Sequence, residues 1–165
     1  MTRPVVIVGV DPGGATTGVV VRAGDRCLAA CSISRVRSDT LALYLEEVAA
    51  AVVGYAAEHQ ADGIAIEDTI APNPHVRISN PDGIIETAKV LGAVLVLAPA
   101  AVIIRPGGHG APVTSRRVLL SRYPAELVGP RETKGTGALR HVRSAWDVAG
   151  AARFEIRTAN RKARP

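Results

Sequence analysis

Three carboxylates of this 165-residue chain stand where an acidic side chain is costly to bury. Asp11 ends the apolar run VVIVGV, Glu67 ends the apolar run GIAI, and Asp147 lies within the apolar stretch SAWDVAGAA. Three carboxylates brought together repel one another, and a bound divalent cation relieves that repulsion. Hard oxygen ligands suit Mg²⁺ or Mn²⁺, and two such ions about 4 Å apart can stabilise the attacking and leaving oxygens of a phosphodiester. The acids, if they converge, predict metal-dependent phosphodiester chemistry.

Each acid also has a purely structural explanation. Asp11 opens the sequence DPGG, which is ordinary turn chemistry, and Glu67 also stands where a strand gives way to a loop. Asp147 could be an exposed helical residue. The combination is more specific than any single member. Gly13 and Gly14, which follow Asp11, lack side chains and would let a phosphate backbone come close.

The hydrophobic pattern predicts a mixed α/β sheet that positions these acids. The first three strands follow one another across short turns, which favours antiparallel pairing, whereas the later strands follow helices, which favours parallel crossovers. Strands are predicted over 4–10, 16–22, 26–34, 63–67 and 101–105, and helices over 39–59, 82–98, 114–122 and 138–154. The first and fourth strands then end at the same sheet edge, and the last helix can deliver Asp147 there.

Composition limits the class of protein. The chain is long enough for one domain with its own core, and because aromatic residues make up only 3%, that core must consist of Val, Ile, Leu and Ala. Cys27 and Cys31 fall four apart in the third strand, so we expect both thiols on one face. No secretory signal or membrane span is predicted. We expect a protein of the cytoplasm of a bacterial cell or of a phage-infected host.

The positive charge is concentrated in the C-terminal third. Residues 115–165 carry twelve Lys or Arg against four acids, which predicts a surface that binds a polyanion, although a solvated face is the alternative. Because few aromatic side chains exist for base stacking, backbone recognition of duplex or junction DNA is favoured. His75 and His109 are interpreted as surface histidines. Candidates for phosphate contacts are Arg105, Arg116, Arg117, Arg122, Lys134, Arg140 and Arg143.

Three motifs, in the order GVDPGGATTGVVV, IAIED and RSAWDVAGAA, resemble the RuvC family of Holliday-junction resolvases within the RNase H-like superfamily. GIIETAKVLGAVL with AVIIRP resembles the family's helix and fifth strand after the second acid, and KGTGA its glycine-bearing loop. The resemblance implies an RNase H-like nuclease domain over 1–154, and a basic, disordered tail is expected over 155–165. It also implies cleavage of four-way or other branched DNA with two Mg²⁺ or Mn²⁺ ions per site, 5′-phosphate and 3′-hydroxyl ends, and a homodimer whose interface includes residues 82–98.

The resemblance assigns the acids position by position. Asp11 matches the family's first metal-binding aspartate, Glu67 the second acid and Asp147 the last. The family usually has a further Asp or His three residues before its final aspartate, and here that residue is Ser144. His141, six residues before Asp147, lies about 600° around the helix and therefore off that face. Ser144 ligating through water, His141 substituting, or three residues acting alone all stay open. Asp68 is excluded because its side chain should point to the opposite sheet face.

Two other functions compete with a nuclease. Because position 144 holds a serine, one alternative is a catalytically inactive RNase H-like protein that binds DNA or has a regulatory role. The sequence DPGGATTG also suggests an actin-like ATPase. Such proteins close two domains over a nucleotide, and a chain of this length has room for one.

Overall fold

A computed structural model describes residues 3–69, 81–105, 123–128 and 139–162, and the structural statements below concern these residues. The strands are β1 (Val6–Asp11), β2 (Thr16–Ala23), β3 (Arg26–Ser34), β4 (Gly63–Glu67) and β5 (Val102–Ile104). The helices are α1 (Leu41–Glu58), α2 (Pro81–Leu97), α3 (Arg140–Ala151) and α4 (Arg153–Lys162), with a short 3₁₀ turn over Ala125–Leu127. The predicted helix over 114–122 lies outside the described residues, as do His75 and His109.

The five strands form one sheet in the order β3-β2-β1-β4-β5. β1 pairs antiparallel with β2 and β2 with β3, while β1 with β4 and β4 with β5 pair in parallel. The predicted mixed sheet is therefore confirmed. Short turns join the antiparallel strands because they reverse the chain directly, and each parallel strand follows a helix. Since Val10 pairs with Ile66, Asp11 and Glu67 lie next to each other at the carboxyl ends of adjacent strands.

Helices cover both faces of the sheet. On one face, side chains of β1, β2 and β4 form a core with α1 and α2 that includes the fully buried Val8, Val19, Val48 and Val94. On the other face α3 packs on β1 and β2 through Ala145, Trp146, Val148 and Ala149. Helix α3, which forms this second layer, is the helix that lies next to Asp11 and Glu67.

Glycines allow α3 to lie directly on the backbone of the sheet. A Cβ atom at Gly18 of β2 would collide with the carbonyl of His141, and one at Gly9 of β1 would collide with the carbonyl of Ala145. No other residue fits at such close approach. The first turn of α3 is therefore held above the end of β1.

The two cysteines face opposite sides of the sheet, contrary to the prediction. A bulge in β3 leaves Leu28 unpaired, because Val21 pairs with Ala29 and Arg22 with Cys27. One extra residue inverts the alternation of side chains. Cys31 therefore packs on the α1 side, whereas Cys27 packs beside Leu127 on the α3 side.

The expected disordered tail is helical as far as residue 162. Ile156 of α4 is 3% exposed and packs against Gly63, where a Cβ atom would lie 2.9 Å from its Cδ1. The Asn160 side chain donates to the carbonyl of Asp62 at 3.1 Å. These two contacts fix a segment whose sequence is otherwise polar. None of the described helices is long and apolar enough to cross a membrane.

Candidate active site

Asp11 and Glu67 place two carboxylates side by side at one edge of the sheet. Burial raises the pKa of the Asp11 carboxyl above its ordinary value, and the hydrogen bond and charge of His141 oppose that rise. The charge of Glu67 and a hydrogen bond between the two carboxyls raise it further. This is the convergence of the first two acids that the strand ends predict, and it creates a demand for positive charge.

His141, in the first turn of α3, contacts Asp11 directly. Its Nδ1 lies 2.8 Å from Oδ2 of Asp11, and the two side chains are 21% and 15% exposed. Arg140 donates from Nε to Nε2 of the same imidazole at 3.1 Å. Since Nε2 accepts, the ring proton lies on Nδ1 and is donated to Asp11. Asp11 thus fixes both the tautomer and the orientation of His141.

Ser144, one turn further along α3, contacts the second acid. Its Oγ donates to Oε2 of Glu67 at 3.3 Å. Residues three apart on a helix share a face, so His141 and Ser144 approach the two carboxylates together. Sequence reasoning left the roles of both residues open, and the signal that identifies them is this spacing of three.

Asp147 makes a different contact. It is 5% exposed, and Oδ2 accepts a hydrogen bond of 2.7 Å from the Tyr123 hydroxyl. Each step of three residues turns the helix back by about 60°, so Asp147 lies roughly 120° from His141, on the side of Trp146. The place of Asp147 in the predicted triad with Asp11 and Glu67 stays a prediction. Sequence reasoning gave no indication of the Tyr123 contact.

The described residues contain no group of three or more His, Cys, Asp or Glu side chains arranged so that it could hold a metal ion. At the edge of the sheet the donors instead satisfy one another, His141 with Asp11 and Ser144 with Glu67. The donor set still suits a hard divalent cation: two adjacent carboxylates, an imidazole and a hydroxyl. Burial is the largest cause of the raised pKa of Asp11 and the charge of Glu67 adds to it, and a bound cation would favour the charged form of this carboxyl.

A buried hydrogen-bond network fixes the turn that follows Asp11. The Tyr44 hydroxyl of α1 donates to the Gly13 carbonyl at 2.8 Å and lies 2.8 Å from Oγ1 of Thr17. Gly13 packs on the carbonyl of Thr16, and a Cβ atom at Gly14 would lie 2.5 Å from Cβ of Glu86. Both glycines are therefore required by contacts within the protein. The expectation that they also let a phosphate backbone come close stays a prediction.

The candidate phosphate-binding residues differ in their exposure and in their contacts. Arg140 and Arg105 are exposed, Arg140 next to His141 and Arg105 just after β5. Arg143 is 2% exposed, donates from Nη1 to the Leu127 carbonyl at 3.0 Å and lies over the Tyr123 ring, so its assignment to DNA needs correction. Asp68 accepts from the amide of Thr69 at 2.8 Å, and its exclusion from the site stays a prediction. Outside the described residues lie Arg116, Arg117, Arg122 and Lys134.

Residues 7–105 match the family model of crossover junction endodeoxyribonuclease RuvC. The fold is similar to Thermus thermophilus RuvC in complex with a Holliday junction substrate, with a TM-score of 0.68 and 18% identity over 93% of this chain and 96% of that one. A second Thermus thermophilus RuvC structure matches with a TM-score of 0.62 and 17% identity over the same shares of the two chains. No curated protein matches the sequence significantly.

Proposed function

The chain belongs to the RuvC family of crossover junction endodeoxyribonucleases, and on this premise we propose that it is a metal-dependent endonuclease that cuts four-way or other branched DNA. The observation that carries the proposal is the pair Asp11 and Glu67, adjacent at the ends of parallel strands and faced by His141. The substrate is supported by the likeness to a RuvC structure that contains a Holliday junction.

Asp11 and Glu67 are the residues that would hold divalent ions, Mg²⁺ or Mn²⁺, with two ions per site as the family resemblance implies. A bound ion of this kind lowers the pKa of a water ligand and neutralises charge on the phosphate. We infer that His141, which contacts Asp11, and Ser144, which contacts Glu67, support this site in place of Asp147.

His141 is the residue best placed to handle a proton. Its Nδ1 donates to Asp11, so Nε2 is the one basic position on the ring, and it becomes available to a water when Arg140 turns from Nε2 to a phosphate. An imidazole oriented by a carboxylate is an effective general base for an attacking water. Hydrolysis then leaves a 5′-phosphate and a 3′-hydroxyl. The exposed Arg140 and Arg105 would bind phosphates on either side of the scissile bond.

A homodimer would cut one strand with each subunit, and α2 would form part of its interface. Three large apolar side chains of α2 are exposed: Ile85 by 53%, Val96 by 79% and Leu97 by 56%. The opposite side of α2 packs on α1 and the sheet through the buried Val90 and Val94. An apolar surface of this kind is typical of a subunit contact.

The proposal is tested with a labelled four-way junction, Mg²⁺ or Mn²⁺, the wild-type chain and Asp11→Asn. The wild type should nick the junction, whereas Asp11→Asn should bind it and leave it intact, because the amide cannot replace a carboxylate ligand. Cleavage by Asp11→Asn at the wild-type rate would refute the role of Asp11.

The rival function is a DNA-binding protein without nuclease activity. It is favoured by Ser144, which places a neutral hydroxyl beside Glu67 where a third carboxylate would strengthen an ion site. A retarded junction without nicks, in Mg²⁺ and in Mn²⁺, would support this rival over the nuclease.

A further inference from the structure

Helix α4 carries a stripe of exposed positive charge. Arg153, Arg157 and Arg161 recur at steps of four and therefore lie along one side of the helix, with Lys162 next to the last of them. All four are exposed, and Glu155 is the one acid in the helix. Ile156 and Asn160, which lie beside the stripe around the helix, hold α4 to the protein.

Within the part of the chain that the structure describes, no acidic side chain pairs with the stripe. Like charges four residues apart destabilise a helix. Repulsion between the arginines therefore lowers the stability of α4, and a bound polyanion would relieve it.

The stripe borders a cavity where α3 gives way to α4. The cavity has a volume of about 310 Å³ and is lined by Gly150, Ala151, Arg153, Phe154 and Arg157. Phe154, the one phenylalanine of the chain, is 79% exposed at this cavity. Two guanidinium groups beside small residues and an aromatic ring form a surface suited to phosphates and the apolar faces of sugars.

This surface lies at the end of the sheet opposite to the candidate active site. Ile156 packs at Gly63, the first residue of β4, whereas Glu67 is the last residue of the same strand. The twelve residues of α3 separate His141 from α4 by about 18 Å along the helix axis. Only an extended polyanion can contact both the candidate active site and the α4 surface. A duplex arm of a few base pairs or more is long enough to do this.

We propose that α4 is a second DNA-binding surface, which holds the phosphodiester backbone of a duplex arm away from the point of cleavage. The proposal rests on the proposed function, because it takes branched DNA as the ligand. It adds a contact that does not depend on metal or on the carboxylates of Asp11 and Glu67.

The test is the affinity for an uncut four-way junction, measured by fluorescence anisotropy in EDTA over a range of salt concentrations. Arg157→Gln/Arg161→Gln should weaken binding, and the slope of log K against log salt should fall by about 2, because each lost phosphate contact removes roughly one released counterion. Arg157→Lys/Arg161→Lys keeps the charges and should keep the slope. Phe154→Ala should weaken binding and leave the slope unchanged.

The matched control is Ala159→Gln, an exposed neutral position of the same helix, which should bind as the wild type does. Thermal melting followed by circular dichroism confirms that each variant is folded. Wild-type affinity and slope for the double glutamine variant would overturn the proposal and would assign the stripe to an acidic protein segment instead. That outcome leaves the nuclease proposal intact, whereas a wild-type chain that never nicks junctions overturns the nuclease and not the α4 surface.

Discussion

Nδ1 of His141 lies 2.8 Å from Oδ2 of Asp11, and this contact joins the first turn of α3 to the end of β1 across 130 residues of sequence. It determines the tautomer of the imidazole, because Nδ1 donates to Asp11 while Nε2 accepts from Arg140. The proposed chemistry depends on this pairing.

The variant His141→Asn separates the two functions of the imidazole, which are its hydrogen bond to Asp11 and its basic Nε2. Its amide can donate to Asp11 as Nδ1 does, but it has no equivalent of Nε2. We expect His141→Asn to lose junction cleavage by about 10²-fold or more, as general-base variants do, and to keep most of the stability that His141→Ala loses. Nicking rates and urea unfolding of both variants measure this. A cleavage rate near the wild-type value for His141→Asn would show that Nε2 takes no part.

A third carboxylate at position 144 should strengthen ion binding. Ser144 donates to Glu67, so Ser144→Asp adds negative charge beside two acids. We expect divalent-ion affinity to rise by about tenfold, since ligand charge tunes such sites, and metal-free stability to fall by about 1–3 kcal/mol. Calorimetric titration with Mn²⁺ and thermal melting in EDTA measure the two effects. Ser144→Ala is the control, and if Ser144→Asp binds ions no better than this variant, Ser144 is not part of the site.

The close approach of α3 to β2 can be tested at Gly18. A Cβ atom there would collide with the carbonyl of His141, so Gly18→Ala should lower the free energy of unfolding by about 1–3 kcal/mol and displace His141 from Asp11. Gly54→Ala is the matched control, because a Cβ atom at this helical glycine meets nothing within 4 Å and alanine should stabilise α1 by roughly 0.5–1 kcal/mol. Equal stability of the two variants in urea would contradict the close packing.

The raised pKa of Asp11 predicts a pH dependence of stability. Because the folded-state pKa lies above the unfolded value of 3.8, the contribution of this carboxyl to stability is fully present below pH 3.8 and is lost as the pH rises through the folded pKa. The Asp11→Asn variant has no carboxyl to ionise at this position and therefore does not lose stability in this way. In metal-free buffer the variant should therefore gain stability relative to the wild type as the pH rises from about 4 towards neutrality.

Urea unfolding at a series of pH values measures this difference, and Asp25→Asn is the control because the Asp25 side chain is 97% exposed. If the stability of the wild type instead increases relative to that of Asp11→Asn as the pH rises, the pKa of Asp11 is lowered in the folded state.

The sheet and its first two acids could be predicted from sequence because both follow from local pattern. Continuous β-branched runs end on Asp11 and Glu67, and a helical crossover brings their ends to one edge. The phase of α3 could not be predicted in the same way. It depends on contacts at Gly9 and Gly18 that turn His141 and Ser144 towards the acids and turn Asp147 towards Tyr123.

Two further differences have equally specific causes. A single unpaired residue, Leu28, sends Cys27 to the opposite face of the sheet, and nothing in the sequence of β3 marks the bulge. Helix α4 was expected to be disordered because its sequence is polar, yet one buried side chain, Ile156, and one hydrogen bond from Asn160 hold it in place. Tertiary contacts decide both features.

The central claim is that Asp11 and Glu67 hold divalent ions with His141 and Ser144, and that Asp147 does not. Calorimetric titration of Mn²⁺ into the wild-type chain, Glu67→Gln and Asp147→Asn tests it most directly. We predict that the wild type binds the ion, that Glu67→Gln loses binding, and that Asp147→Asn keeps binding but loses some stability, because a neutral amide oxygen accepts a weaker hydrogen bond from Tyr123 than a carboxylate does. Loss of ion binding in a folded Asp147→Asn chain, with binding retained in Glu67→Gln, would contradict the claim.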